Sequence, residues 1–274
     1  MTASLKRAQR MAGLLALAAL ALAACKPKAE LMGDLDAGDG AASGEAASVA
    51  ENAVANAARP DSDRALDDKR KPAAVLDFAG VEPGMRVFEM EAGEGYYTEL
   101  LSFIVGESGE VVMHNPAAFD GFLGDAVETR LADDRLANVR HSKTNFDALT
   151  AEDSSMDIVT WMLGPHELYF TPASGESLGD VEGAYAEAFR IVKPRGAFII
   201  LDHAAAPGAS SETGGTVHRI DPAIVKGLAE AAGFMLVDES DILRNPDDDY
   251  EMSVFDPAVR RKTDRFLLKY KKPG

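Results

Sequence analysis

From residue 86 onward, short apolar runs alternate with stretches of helical period. Arg86 to Met90, Val111 to His114, Val139 to Ser142, Met156 to Leu163 and Ala197 to Leu201 read as strands. The fourth is apolar and β-branched, and the fifth is continuously apolar, as in parallel strands covered on both faces. Between them the pattern predicts helices over Tyr97 to Ile104, around Phe119 to Leu131, over Val181 to Val192, and over Ala223 to Ala232. Lys193-Pro194-Arg195-Gly196 stops the third of these and Gly233 caps the fourth. Ahead of the first strand lie a charged helix from Asp63 to Lys71, ended by Pro72, and a second helix, Ala73 to Ala79. Phe234 to Asp238 and Arg265 to Lys271 are the last strands. Alternating strands and helices predict an α/β fold with a doubly wound, mostly parallel sheet in one domain.

The amino-terminal segment follows another pattern. Lys6, Arg7 and Arg10 precede an apolar run, Met11 to Ala24. A bilayer span needs roughly 20 apolar residues, so this shorter run fits the core of an export signal. It ends in Leu22-Ala23-Ala24-Cys25, which resembles a bacterial lipoprotein lipobox. That resemblance implies cleavage before Cys25, lipidation of Cys25, and a place on the periplasmic side of a membrane. Residues 25–60 are rich in Ala, Gly, Ser and acids and bury little, so they read as a flexible tether or weak helix. The expected organisation is a signal peptide over 1–24, a tether over 25–60 and a globular domain over 61–274. Cys25 is the one cysteine, so no internal disulfide can form.

The formal charge of −17 narrows the partners. Phosphate backbones and anionic lipid surfaces call for clustered Lys and Arg, so no nucleic acid is expected, and a membrane only through the lipid anchor.

The chemistry concentrates where the first strand ends. Val87-Phe88-Glu89-Met90-Glu91-Ala92-Gly93-Glu94-Gly95-Tyr96-Tyr97 is a strand, an acidic glycine-bearing turn and the start of a helix. Glycines let the backbone approach a nucleotide-like ligand. Glu89, Glu91 and Glu94 would repel a pyrophosphate and suit a ligand carrying positive charge. Further marks are Arg70-Lys71-Pro72, Val81-Glu82-Pro83-Gly84-Met85, Asn115-Pro116, His166-Glu167-Leu168-Tyr169, Lys193-Pro194-Arg195-Gly196, Asp202-His203, His218-Arg219-Ile220-Asp221, Arg244-Asn245-Pro246-Asp247-Asp248 and Lys262-Thr263-Asp264-Arg265-Phe266.

With these marks the stretch from Asp61 to Pro273 resembles the class I S-adenosylmethionine-dependent methyltransferases, and among them a bacterial group several of whose members carry export signals. The resemblance implies a Rossmann-like sheet of seven strands, the last inserted antiparallel between the fifth and sixth. It implies S-adenosyl-L-methionine as cofactor and a small-molecule or lipid-like methyl acceptor. Gly93 and Gly95 stand at glycines of the family's motif and Glu89 at its acid, while Glu91 replaces the first glycine. Glu91 can therefore pair with the cofactor's ammonium or obstruct the turn. Asn115 stands where the family has the acid that grips the ribose hydroxyls, and Asn145 near the adenine position. An amide at 115 loses charge-assisted strength, which predicts weaker cofactor binding.

His166 follows the fourth strand and Asp202-His203 ends the fifth, so all three open on the crevice at the strands' carboxyl ends. They are the candidate catalytic residues, His166 first as general base, His203 second, with Asp202 orienting. They can equally satisfy strand-end backbone groups. Tyr96, Tyr97, Trp161 and Tyr169 can wall an acceptor pocket or belong to the core. His166, Glu167, Asp202, His203 and His218 carry metal-ligand atoms, but no His-Glu-x-x-His spacing is present, so no metal is expected. Beside methyl transfer, a non-catalytic binding protein on the same fold and a His/Asp-based hydrolase or metal enzyme remain open readings.

Overall fold

The computed structural model describes residues 46–274, which fall in the unit Glu45–Gly274. Cys25, the expected signal peptide and the first part of the expected tether lie outside the described residues.

The described part opens with α1 (Val49–Val54), α2 (Asp61–Arg64), α3 (Asp67–Arg70) and α4 (Pro72–Ala79). Of the two readings of residues 25–60, tether or weak helix, the described residues show a short helix at Val49–Val54. Ser48 and Glu51 form a reciprocal capping box, and Ala50 and Ala53 are buried against the core. Their small side chains let α1 pack closely on α4. The charged helix expected over Asp63 to Lys71 is two helices, because Leu66 turns inward onto the core between them.

Next come β1 (Arg86–Met90), α5 (Tyr96–Val105) and β2 (Glu110–His114). The helix expected around Phe119 to Leu131 is broken into a turn of 3-10 helix at Ala117–Phe119, α6 (Asp120–Leu123) and α7 (Ala126–Leu131). Gly124, at φ +55°, ends α6 in a conformation that other residues adopt only at a cost. The chain continues with β3 (Val139–Ser142), β4 (Met156–Met162), α8 (Val181–Ile191) and β5 (Val192–His203). Then follow α9 (Glu212–Val217), α10 (Pro222–Ala231), β6 (Met235–Ser240) and β7 (Arg265–Lys271). β5 begins earlier than its apolar core suggested, because Lys193 to Gly196 stay in the strand across a register shift against β4.

The strand order is β3-β2-β1-β4-β5-β7-β6. β1 to β5 pair in parallel, and β7 runs antiparallel to both β5 and β6. This is the seven-stranded Rossmann-like sheet of class I methyltransferases. Alternate residues feed two cores: Phe88, Val112, Val159 and Phe198 on one face, and Val87, Val111, Ile158 and Ile199 on the other. Strand order reverses between β1 and β4, so their carboxyl ends form the switch-point crevice where ligands of such sheets bind. Among the described residues no helix is long and apolar enough to cross a membrane.

Candidate functional site

The turn after β1 shapes one wall of that crevice. Glu91 adopts φ +54°, a left-handed conformation that glycine enters more cheaply, at the position where a glycine was expected. Gly93, at φ +58°, is clipped in place by Asn115, whose Oδ1 accepts from Gly93 N at 2.8 Å and whose Nδ2 donates to Gly93 O at 3.1 Å. Asn115 thus stands at the cofactor turn where it was expected, with both atoms of its amide bonded to Gly93.

A cavity of about 580 Å³ opens beside this turn. Glu91 and Gly93 form one side, the apolar Ala117, Phe119, Phe122 and Leu123 another, and Glu167, Phe170, His218 and Phe255 the far end. Phe122 and Phe255 are exposed large apolar residues, 81% and 54% accessible, and their place on the rim gives them a use. Phe170 and Phe255 lie outside any helix or strand, so no periodicity marked them in the sequence. A groove of about 680 Å³ lies elsewhere, around Gly106, Glu110 and Asn138 at the amino end of β2, away from the strands' carboxyl ends.

Glu91 lines the cavity, and its Oε2 accepts from Trp161 Nε1 at 3.2 Å. Burial, then the charge of Glu167, pushes its carboxyl well above the usual range. Gly164 makes this pairing possible, since a Cβ there would stand 2.2 Å from Glu91 Oε2. Glu89 does not line the cavity. Its carboxyl turns beneath the β1 end to accept from Thr98 Oγ1 of α5 at 2.5 Å, and burial raises it to about 8. Gly95 caps α5 at φ +86° and packs toward Met113 and Arg130. Asn145 is half-buried and also stands away from the cavity. Tyr96, Tyr97 and Trp161 belong to the core clusters, and Tyr169 packs against one.

The structure brings His166 and Asp202 together. Asp202 Oδ2 accepts from His166 N at 2.8 Å, and Oδ1 lies 2.7 Å from His166 Nδ1. His166 Nε2 faces Glu167 Oε1 at 3.2 Å. Burial works against charge on this ring, but Asp202 and then Glu167 outweigh it and raise His166 to about 10. Both ring nitrogens are thus held, which favours the charged ring and leaves neither nitrogen free to take up a proton in this arrangement. Glu167 is half-buried, which works against its charge, yet His166 and His218 outweigh this and lower it to about 2.

His203 stands differently. Its Nδ1 lies 2.7 Å from Thr263 Oγ1, and no protein group bonds Nε2 among the described residues. Burial, then the nearby His166 and Arg265, push it well below the usual histidine range, so it is neutral. It borders a smaller cavity of about 180 Å³ with Lys69, Arg70 and Arg265, and Phe255 lines both cavities. Arg265 is 8% accessible, its Nη2 donates to Lys69 O at 2.7 Å, and its Nε has no partner. Burial and the charge of Arg70 hold its pKa down.

His218 reaches the site through close packing of glycines. Gly214 and Gly215 of α9 lie against the turn that follows β4; a Cβ would come within 2.5 Å of His166 O and 2.3 Å of Tyr169 O. His218, at φ +56°, ends α9 and sets its Nδ1 3.1 Å from Glu167 Oε1. His166, Glu167 and His218 thus offer three ligand atoms all within 4.8 Å of one another, a convergence that the absence of a spaced motif had hidden.

Residues 66–213 match the model of the ubiE/COQ5 methyltransferase family. The chain is 30% identical over 128 residues to the ubiquinone/menaquinone biosynthesis C-methyltransferase UbiE of Shewanella piezotolerans, covering 47% of this chain and 46% of that protein. It is 29% identical over 129 residues to the same enzyme of Shewanella sp. strain ANA-3, with the same coverage of 47% and 46%. The matched region spans under half the length of these relatives. In structure the chain is similar to an S-adenosylmethionine-dependent methyltransferase of Aquifex aeolicus, with a TM-score of 0.52 and 20% identity over 78% of this chain and 98% of that one. It is also similar to phosphoethanolamine N-methyltransferase 2 of Haemonchus contortus in complex with S-adenosyl-L-methionine, with a TM-score of 0.54 and 14% identity over 75% and 53% of the two chains.

Proposed function

Because the chain belongs to the ubiE/COQ5 methyltransferase family, whose cofactor is S-adenosyl-L-methionine, we propose that it transfers the cofactor's methyl group to a small apolar acceptor held in the 580 Å³ cavity. The observation that carries this reading is the cavity itself, which sits on the β1 turn at the sheet's switch point. Glu167, held ionised by its two histidines, favours the sulfonium and ammonium, and Glu91 offers its buried carboxyl beside them. Arg70 and Arg265 line the smaller neighbouring cavity, which shares Phe255 with this one, and favour the carboxylate from there. Phe119, Phe122 and Leu123 supply apolar surface for the adenine, and Phe170 and Phe255 for an aromatic or lipid-like acceptor. The similar Shewanella enzymes are named as C-methyltransferases of ubiquinone/menaquinone biosynthesis, and an aromatic, lipid-like acceptor is consistent with that name.

Methyl transfer from a sulfonium is an in-line displacement, in which positioning supplies most of the acceleration. The acceptor's proton needs a neutral base with a free nitrogen. His203 meets that description from the smaller cavity, so the acceptor must reach it past Phe255, which both cavities share; His166 instead serves as a fixed cation that, with Asp202 behind it, holds Glu167 in place. A second reading, cofactor binding without turnover, draws support from Asn115, whose amide is tied to Gly93. The two readings part on a radiolabelled methyl-transfer assay with a quinol-precursor acceptor. Transfer by the wild type that falls at least 100-fold in His203→Gln, with cofactor affinity kept, supports catalysis through His203. Binding with no transfer to any acceptor of this class favours the second reading.

Export and lipidation at Cys25 complete the proposal on the strength of the Leu22-Ala23-Ala24-Cys25 sequence. Loss of membrane attachment in Cys25→Ser is the expected result, and unchanged attachment would contradict it.

A further inference from the structure

We propose that His166, Glu167 and His218 bind one divalent transition-metal ion of the zinc type on the floor of the cofactor cavity. Three observations carry this. First, one ring nitrogen of each histidine and a carboxylate oxygen lie mutually within 4.8 Å, with Glu167 Oε1 3.2 Å from His166 Nε2 and 3.1 Å from His218 Nδ1. Ligands about 2.0–2.2 Å from a tetrahedral ion stand roughly 3.3–3.5 Å apart, so the two histidine–Glu167 pairs already have nearly that spacing, and the two histidines need to close by about 1.5 Å at most. Second, Asp202 occupies Nδ1 of His166 at 2.7 Å, which turns Nε2 toward the other two donors. A carboxylate behind a ligating histidine is the usual means of orienting it and raising its basicity. Third, Glu167 Oε2 is buried without a hydrogen-bond partner. An orphaned buried carboxylate oxygen is costly, and a cation beside it removes the cost.

The surroundings agree. Asp202 and Glu167 flank His166, and Glu167 also meets His218, so two carboxylates face the two imidazoles. Two imidazoles and one carboxylate suit zinc, cobalt or iron(II) over magnesium and calcium, which take oxygen donors. Glu167 and His218 line the cavity, so the remaining coordination position opens onto it. A metal there must displace the proton from His166 Nε2, and binding therefore releases a proton to solvent. Occupancy of the site stands apart from methyl transfer. Its use in polarising an acceptor oxygen or nitrogen rests on the methyltransferase reading.

The test uses the full chain stripped of metal, titrated with zinc against a competing chelator, with cobalt(II) as a spectroscopic probe. One zinc per chain is expected. Glu167→Gln and His218→Gln should each weaken binding at least 100-fold. Asp202→Asn, which removes the charge that orients His166 but none of the three ligands, should weaken it about 10- to 100-fold in protein shown to be folded. His141→Gln, outside the cluster, should leave it unchanged. Cobalt should give the intense visible bands of a four- or five-coordinate ion, a readout that stands even if a variant fails to fold. No saturable zinc at 1 mM, binding within threefold of wild type in both ligand variants, or only the pale spectrum of an octahedral oxygen-ligated cobalt ion would each overturn the proposal. S-adenosylmethionine titrated separately into the metal-free protein tests the methyltransferase reading, so the two ideas fail independently.

Discussion

Asp202 and His166 are bonded twice, backbone N–H to Oδ2 at 2.8 Å and ring Nδ1 to Oδ1 at 2.7 Å. The pair joins the end of β5 to the turn after β4, and its side chains are 0% and 4% accessible. The two strand ends that frame the crevice are thereby fixed to one another, and the imidazole is held as a cation between Asp202 and Glu167. Removing one partner of a buried pair leaves the other charge uncompensated, which costs about 3–5 kcal/mol. Asp202→Asn should lower the unfolding free energy by about that amount in urea titrations, and a loss below about 1 kcal/mol would show that the pair carries little.

Glu89 sets a pH dependence. Its folded-state carboxyl is raised from 4.5 to about 8 by burial, so the folded protein binds a proton there that the unfolded chain has released. That contribution is fully present below pH 4.5 and is lost as pH rises through 8. Glu89→Gln stays neutral at every pH. The stability of the variant relative to the wild type should therefore climb between pH 4.5 and 8 and then level off. Denaturant unfolding across that range checks it, and a flat difference would mean that Glu89 ionises as freely in the fold as in solution.

Gly214 controls where His218 stands. A Cβ would meet the carbonyl of His166 at 2.5 Å, so Gly214→Ala must lift α9 from the turn it covers. Overpacking of this kind costs about 1–3 kcal/mol. A lower thermal midpoint together with a shifted His218 imidazole resonance is the expected outcome. An unmoved resonance would separate α9 packing from the site.

The charged groups lining the two neighbouring cavities predict the direction of two cofactor-affinity changes. Glu91→Gln removes a carboxyl that suits a cation, and Arg70→Met removes a cation that suits the carboxylate. A charge-assisted hydrogen bond contributes about 1.5–3 kcal/mol, so each variant should weaken S-adenosylmethionine roughly 10- to 100-fold by calorimetry. Tighter binding in Glu91→Gln would identify Glu91 as an obstruction where its family has glycine.

Much of this was legible from periodicity. Val111 to His114, Met156 to Met162 and Arg265 to Lys271 fall where alternation and buried runs placed strands, and the inserted last strand follows from the family motifs. Composition allowed both tether and weak helix at Val49–Val54, because alanines that pack closely look like those of a tether. The break between Asp120–Leu123 and Ala126–Leu131 escaped because a glycine at positive φ was read as part of a helix. At the site, the approach of His166 to Asp202 follows from two strand ends in one crevice. Their roles did not follow, since whether an imidazole has one nitrogen free or none depends on neighbours such as Glu167 and Thr263 that only the fold supplies. His218 arrives by way of two glycines pressed on a turn, a relationship no linear spacing encodes.

The central claim is that the cavity beside Glu91 and Gly93 holds S-adenosyl-L-methionine. Isothermal calorimetry with the full chain tests it most directly. The account predicts saturable binding of one cofactor per chain, with a dissociation constant on the order of micromolar, or about −8 kcal/mol. No heat of binding at millimolar cofactor, from a protein shown to be folded, would contradict it.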